Sequence, residues 1–245
     1  MQPSRPNSRR TAVRYRRVVA PIVVTAALGV LLTACGGGKV TTESNSYQVS
    51  DAVTALRINS PGGLVEVVAG DGGGVRVTET ARYDGDKPSV SHKTAADGVL
   101  VLDASECGHG IGHKVCQVGY RVVVPKGLAT TVRNTGGDVT VTGLAGALDL
   151  ASDGGKVLAS GLASKSFTAK ADGGTVNAAF VETPDRVRIE SAGGSVTARL
   201  PDAAYAVDAT ANGGTADVKV KTDPASSHKV TIRSDGGSVS VLPAG

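Results

Sequence analysis

Gly-Gly pairs begin at residues 136, 154, 173, 193, 213 and 236, spaced 18, 19, 20, 20 and 23 residues apart. Self-similarity at one short period constrains a fold more than any single motif does. Each unit must bury its apolar face against the next copy of itself. The flanks of the pairs repeat too. Six and four residues before the first glycine stand Leu148/Leu150, Phe167/Ala169, Val187/Ile189, Val207/Ala209 and Val230/Ile232. Three and five residues after it stand Val139/Val141, Val157/Ala159, Val176/Ala178, Val196/Ala198, Ala216/Val218 and Val239/Val241. Both flanks alternate apolar and polar, the period of a strand with one buried face. The same template fits near the start, with Leu56/Ile58 before Gly62-Gly63 and Val65/Val67 after.

The residue before the pair is Thr135, Asp153, Asp172, Ala192, Asn212 or Asp235. Asp, Asn and Gly supply the side-chain turn bonds and positive-φ conformations of a tight corner. Two folds satisfy the pattern. Each unit could be an antiparallel hairpin in a sandwich. Alternatively, each repeat of about 20 residues is one coil of a solenoid with equivalent strands stacked in parallel. Regular spacing, small or β-branched inward residues and turn residues at equivalent places all favour the solenoid. Eight or nine coils at about 4.8 Å each predict a rod on the order of 40 Å long.

Composition agrees with a narrow interior. Of 245 residues, 33 are Gly, five Tyr, two Phe and none Trp, yet 40% are hydrophobic. Gly is not at every third position, so collagen is excluded, and the apolar content argues against a disordered chain. No stretch after residue 50 has helical periodicity, so the domain over 51–245 is expected to be almost all β. The Gly-Gly repeats on a lipoprotein-type leader resemble the bacterial putative-adhesin family of β-strand-repeat proteins, over roughly residues 50 to 245. That resemblance implies a right-handed parallel β-helix and brings no catalytic motif.

The leader itself is distinctive. Arg5, Arg9, Arg10, Arg14, Arg16 and Arg17 precede an apolar run from Val18 to Ala34. Leu32-Thr33-Ala34-Cys35 and three glycines follow, which resembles the lipobox of bacterial lipoproteins. The resemblance implies cleavage of residues 1–34 and a diacylglyceryl group on the Cys35 thiol, a two-chain anchor that holds stably. Ser8-Arg9-Arg10 only hints at twin-arginine export. Residues 35–50 read as a flexible tether. The net charge of +4 belongs to the leader: without its six arginines, 20 basic residues face 22 acidic ones. No basic stripe remains, which argues against nucleic acid as a partner. The membrane, reached through Cys35, and an envelope polymer or surface protein are the expected partners.

Residues 78 to 130 break the period, with strands read at 99–102 and 120–125. Between them lie Cys107, His109, His113 and Cys116. In an exported protein, two cysteines across a Gly-rich loop read as a disulfide that staples it. The sharper alternative is a tetrahedral zinc set of two thiols and two imidazoles, although the spacing matches no common zinc module.

Elsewhere chemistry is sparse, and no cofactor motif is present. Ser226 and Lys229 have Ser-x-x-Lys spacing, but that chemistry needs a helix and Pro224 precedes it. Asp-Gly-Gly triplets lack the nine-residue period of calcium rolls. Asp185, Arg186 and Arg188 read as a solvated strand edge. The expectation is a cell-envelope lipoprotein that is not an enzyme and binds through outward residues such as Asp149, Thr168, Arg188, Asp208 and Thr231. An envelope-stress or signalling accessory is the next reading, and a polysaccharide-active enzyme the third.

Overall fold

The computed structural model describes residues 39–105 and 115–245. Among the described residues there are twenty strands and no helix. The N-terminal part holds β1 (Thr41–Val49), β2 (Ala55–Ser60), β3 (Val65–Gly70), β4 (Val75–Tyr83), β5 (Val90–Thr94), β6 (Val99–Ala104) and β7 (Cys116–Pro125). The middle holds β8 (Ala129–Asn134), β9 (Val139–Thr142), β10 (Leu148–Ser152), β11 (Val157–Leu162), β12 (Ser166–Ala171), β13 (Val176–Phe180), β14 (Arg186–Ser191) and β15 (Val196–Leu200). The C-terminal part holds β16 (Ala204–Ala211), β17 (Ala216–Val218), β18 (Lys221–Thr222), β19 (Lys229–Ser234) and β20 (Val239–Pro243).

Strands on either side of a Gly-Gly pair lie in different sheets. In sheet A, β9, β11, β13 and β15 are successive parallel neighbours. In sheet B, β8, β10, β12 and β14 are. A hairpin would have paired the two flanks of one corner with each other. Instead, Val157 registers with Val139 and Val176, and Val176 with Val196. The chain is therefore a parallel β-solenoid, as the repeat predicts. Val139, Val157, Val176 and Val196 are fully buried in one interior ladder. Two aromatics fill the wider part of the interior, where Phe167 and Phe180 meet edge to face at 5.5 Å.

At both ends the stacking order departs from chain order. The β2/β3 coil lies between β6/β7 and β8/β9. Its Gly-Gly corner therefore stacks on the corner at 136, across 74 residues of sequence: Thr135 N donates to Ser60 O at 3.1 Å. At the other end, β19/β20 inserts between β14/β15 and β16/β17. The coil containing Gly213 is thus outermost, although the one containing Gly236 follows it in sequence. Antiparallel strands extend the N-terminal end: β4 on β7 and β1 on β4 in sheet A, and β5 on β6 in sheet B.

Residues 41–49, expected as tether, form β1. The reason lies in Tyr47 and Val49, which pack against the core and give the segment an inward face.

The corners correct one expectation. Apart from Gly62 (φ +149°) and Gly63 (φ +95°), none of the paired glycines has positive φ, and neither does any described non-glycine residue. What the pairs supply is closeness. A Cβ on Gly174 would lie 2.0 Å from Gly155 O, and one on Gly155 would lie 2.3 Å from Gly137 O. Left-handed backbone serves the opposite corner instead, at Gly143 (φ +77°) and Gly161 (φ +64°).

Candidate functional site

Two residues before each pair stands a position that the sequence reading passed over: Ser60, Asn134, Ser152, Ala171, Ser191, Ala211 and Ser234. The four serines and Asn134 are buried. Buried polar groups need partners, and here neighbouring corners supply them for the hydroxyls and the Asn134 amide nitrogen, while Asn134 Oδ1 has none among the described residues. Ser152 Oγ accepts from Gly155 N at 2.9 Å and donates to Gly137 O of the preceding coil at 2.8 Å. Ser234 repeats this with Gly237 N and Gly194 O. Asn134 Nδ2 reaches Gly63 O at 2.8 Å, so the inverted stacking at the N-terminal end uses the same device. Asp153 and Asp172 contribute backbone, donating their N–H groups to Asn134 O and Ser152 O.

With the interior consumed by packing, only outward positions can meet a ligand. On sheet B the predicted outward residues fall into one row. Asp149 registers with Thr168, Thr168 with Arg188, Arg188 with Thr231 and Thr231 with Asp208. Thr131 and Arg57 continue it towards the N-terminal end. Two residues along, Lys170, Glu190 and Arg233 form a second row. With the corner residues Asp172 and Asp235 they line an open groove of about 450 Å³. The charges pair among themselves: Arg133 with Asp149 at 2.5 Å, Lys170 with Asp172 at 3.1 Å, Arg233 with Asp208 at 3.5 Å, and Arg188 with Glu190. All are about half exposed, so each pair contributes roughly 0–1 kcal/mol. The face is a mixed-charge surface.

A second polar cluster sits inside the N-terminal end. Tyr47 donates to Glu79 Oε1 at 2.5 Å, and the Tyr47 ring stacks on His92 at 4.3 Å. Glu79 is 8% exposed because alternation along β4 turns it inward. The Tyr120 hydroxyl is buried without a hydrogen-bond partner among the described residues. Burial raises both phenols above their ordinary range, and the Glu79 carboxylate raises them further. The cluster is legible in β4, where a glutamate falls on an apolar beat.

Asp185 and His228 do meet. His228 Nδ1 lies 3.4 Å from Asp185 Oδ1 and 2.9 Å from Pro184 O. Ser226 Oγ, however, donates to Ala204 O and accepts from the His228 backbone N–H, so its proton points away from the ring. Ser226 and Lys229 lie in the turn and strand leading through β19, not on a helix. Among the described residues no group of three or more His, Cys, Asp or Glu could hold a metal ion. Cys35, Cys107, His109 and His113 lie outside the described residues. Cys116 opens β7 opposite Tyr83.

A two-sheet parallel solenoid with buried corner hydroxyls and charged outward rows is the class of protein this geometry defines. The chain matches the Toastrack DUF4097 family over residues 117–242, more than half of its 245, and belongs to that family. It is also similar to solved structures. One, a putative cell adhesion protein from Clostridium sporogenes, is 13% identical, with 83% of this chain and 100% of that one covered, at a TM-score of 0.48. Another, a putative adhesin from Bacteroides fragilis, is 13% identical, with 83% and 97% covered, at 0.41. Among curated proteins none matches the chain.

Proposed function

We propose that this protein is a non-catalytic cell-envelope lipoprotein that binds an envelope polymer or surface protein through the outward rows of sheet B. The observation that carries the proposal is the row from Arg57 to Asp208. Mixed charges and hydroxyls repeat there at one strand spacing along the rod. Such a surface suits an extended, weak, additive contact, not one preorganised acid/base pair. Residues 1–34 are the export signal in this reading. Cys35 carries the lipid, and the Cys107–Cys116 bond staples the loop between β6 and β7 of a right-handed coil. With β1 starting at Thr41, only a short linker separates Cys35 from the domain, so the rod stands close to the membrane.

The test incubates the protein with isolated cell-wall polymers and membrane extracts and measures retention and cleavage. Retention weakened by reversing charges at Arg188 and Asp208, with no turnover, supports the proposal. Turnover abolished by changing a single carboxylate overturns it in favour of an enzyme. Intact mass of the membrane fraction checks the anchor: an uncleaved or unlipidated N-terminus refutes it.

A further inference from the structure

The N-terminal end of sheet A carries a surface whose charge differs, among the described residues, from that of the sheet B rows. Strand alternation turns Arg76, Thr78, Thr80 and Arg82 of β4 outward, beside Gln117, Gly119 and Arg121 of β7. The register sets Arg82 opposite Gln117, Thr80 opposite Gly119 and Thr78 opposite Arg121. Gly119 has no side chain at the centre of this group. Its Cβ would lie 2.9 Å from Leu64 O, so the strands approach too closely there for any other residue. The result is a hollow of about 330 Å³ with a bare backbone floor. Its walls are the Arg82 and Arg121 side chains, the Thr78 and Thr80 side chains and Gln117, and the 52% exposed Leu64 forms part of its lining.

The charge here is unbalanced. On sheet B each of the cations Lys170, Arg188 and Arg233 has a carboxylate beside it. In the hollow, Glu66 pairs with Arg121 and is the one acid in the lining. Arg82 makes no ion pair among the described residues, and neither does Arg76 further along β4. The neighbouring outward residues of β1, Thr42, Ser44, Ser46 and Gln48, add no acid. Ser46 and Thr78 share a hydrogen bond in which either can donate, so with Ser46 as donor the Thr78 hydroxyl keeps its proton for a ligand; Ser44 gives its proton to Glu79 O, so Thr80 donates to Ser44.

We infer that this hollow is an oxyanion site for a polyol phosphate. Guanidinium groups from two strands, the Thr78 hydroxyl and the Gln117 amide line the hollow from several sides. That arrangement suits a tetrahedral phosphate better than a planar carboxylate, and arginine is the side chain best matched to such an oxyanion. The exposed Leu64 packs against carbon-bound hydrogens of the polyol. The phosphate can be carried by a phospholipid headgroup or by a soluble polyol phosphate. The site is on the opposite sheet from the row invoked above, so the two proposals fail independently.

The full chain in neutral detergent is titrated by calorimetry with glycerol phosphate, inorganic phosphate and glycerol. Glycerol phosphate is expected to bind at least about fivefold more tightly than inorganic phosphate, with glycerol giving no signal, and binding should weaken with salt. Arg82→Gln should lower the affinity about tenfold and Arg121→Gln somewhat less, because Glu66 already engages Arg121. Arg199→Gln, on the same sheet but far along the rod, serves as the charge control and should change nothing. Flotation with phosphatidylglycerol vesicles separates the sources. A headgroup source predicts retention that Arg82→Gln reduces, and a soluble source predicts calorimetric binding without retention. Equal affinities for glycerol phosphate and inorganic phosphate overturn the polyol part. No binding of either, or full binding by a folded Arg82→Gln protein, overturns the site.

Discussion

The middle coils and the outermost C-terminal coil carry the same Φ-x-Φ…Gly-Gly…Φ-x-Φ template, yet the structure uses it differently in the two places. In β12/β13, Phe167, Ala169, Val176 and Ala178 are buried. In β16/β17 the equivalent Val207 and Ala209 are half-buried, and Ala216 and Val218 are exposed. The corner polar position is alanine in both coils, Ala171 and Ala211, so it does not separate the two. A template position becomes core only when coils cover it on both sides; β17 is an edge strand, and β18 covers β16 only at Ala204 and Tyr205, short of Val207 and Ala209. Its far edge is protected instead by shortness and charge: β18 is two residues long, and Lys219 pairs with Asp217 and Lys221 with Asp202. Charged, abbreviated edges resist pairing with other chains.

The largest effect that would separate the two regions is a buried charge. Val176→Asp places an unpaired carboxylate in the middle of the valine ladder and should cost about 4–5 kcal/mol. That is enough to abolish cooperative unfolding at an ordinary temperature. Val218→Asp, at a position 37% exposed, should shift the denaturation midpoint by less than about 0.5 kcal/mol. Comparable losses would mean that the outermost coil is as well packed as the middle. Next is the corner itself. Gly174→Ala drives a Cβ to 2.0 Å from Gly155 O and should cost about 3 kcal/mol or more, whereas Gly173→Ala meets nothing nearer than 3.2 Å and should cost about 1. Equal losses from the two glycines would refute close stacking as the reason for the pair.

The serine ladder gives an intermediate effect. Ser152→Ala strands Gly155 N–H and Gly137 O in a buried corner and should destabilise by about 1–2 kcal/mol in urea denaturation. Ala211→Ser, in the outermost coil, should leave the midpoint within about 0.5 kcal/mol.

Alternation around the glycines identifies which face of a strand a residue occupies, and in the covered coils that face is the buried one. It also arranges Asp149, Thr168, Arg188, Thr231 and Asp208 as one outward row. Which coil stacks on which is another matter. Gly62 neighbours Gly136, and Gly236 neighbours Gly193, because any coil that carries the repeat template offers the same apolar rows to its neighbour. Spacing along the chain cannot rank such partners. The buried serines stand two residues before four of the pairs, where a serine on a strand beat looks like any polar turn residue, and the residue between has a solvent-facing side chain and a backbone that makes the ladder. β1 is not legible in the sequence because its Thr- and Ser-rich stretch looks like linker, and Tyr47 gains its meaning only from Glu79, 32 residues on.

The smallest expected effect on stability belongs to the surface that the proposed function needs most. Arg188 is exposed between Thr168 and Thr231, and its one ion pair is with Glu190 on the same strand. Releasing that pair removes a half-exposed contact and opens no cavity, so Arg188→Glu should leave the unfolding midpoint within about 0.5 kcal/mol of the parent. Its effect should appear in retention on envelope polymer. Reversing one charge in a row of mixed charges should alter the salt dependence of retention and change its strength about twofold to fivefold. Asp208→Lys, two strands away in the same row, should act comparably, and Thr197→Lys, on the other sheet, should not act at all. If retention instead moves one way for Arg188→Glu and the opposite way for both Asp208→Lys and Thr197→Lys, it follows net charge and not the sheet B row. If Arg188→Glu unfolds the coil, the row belongs to the architecture and is not a free binding surface.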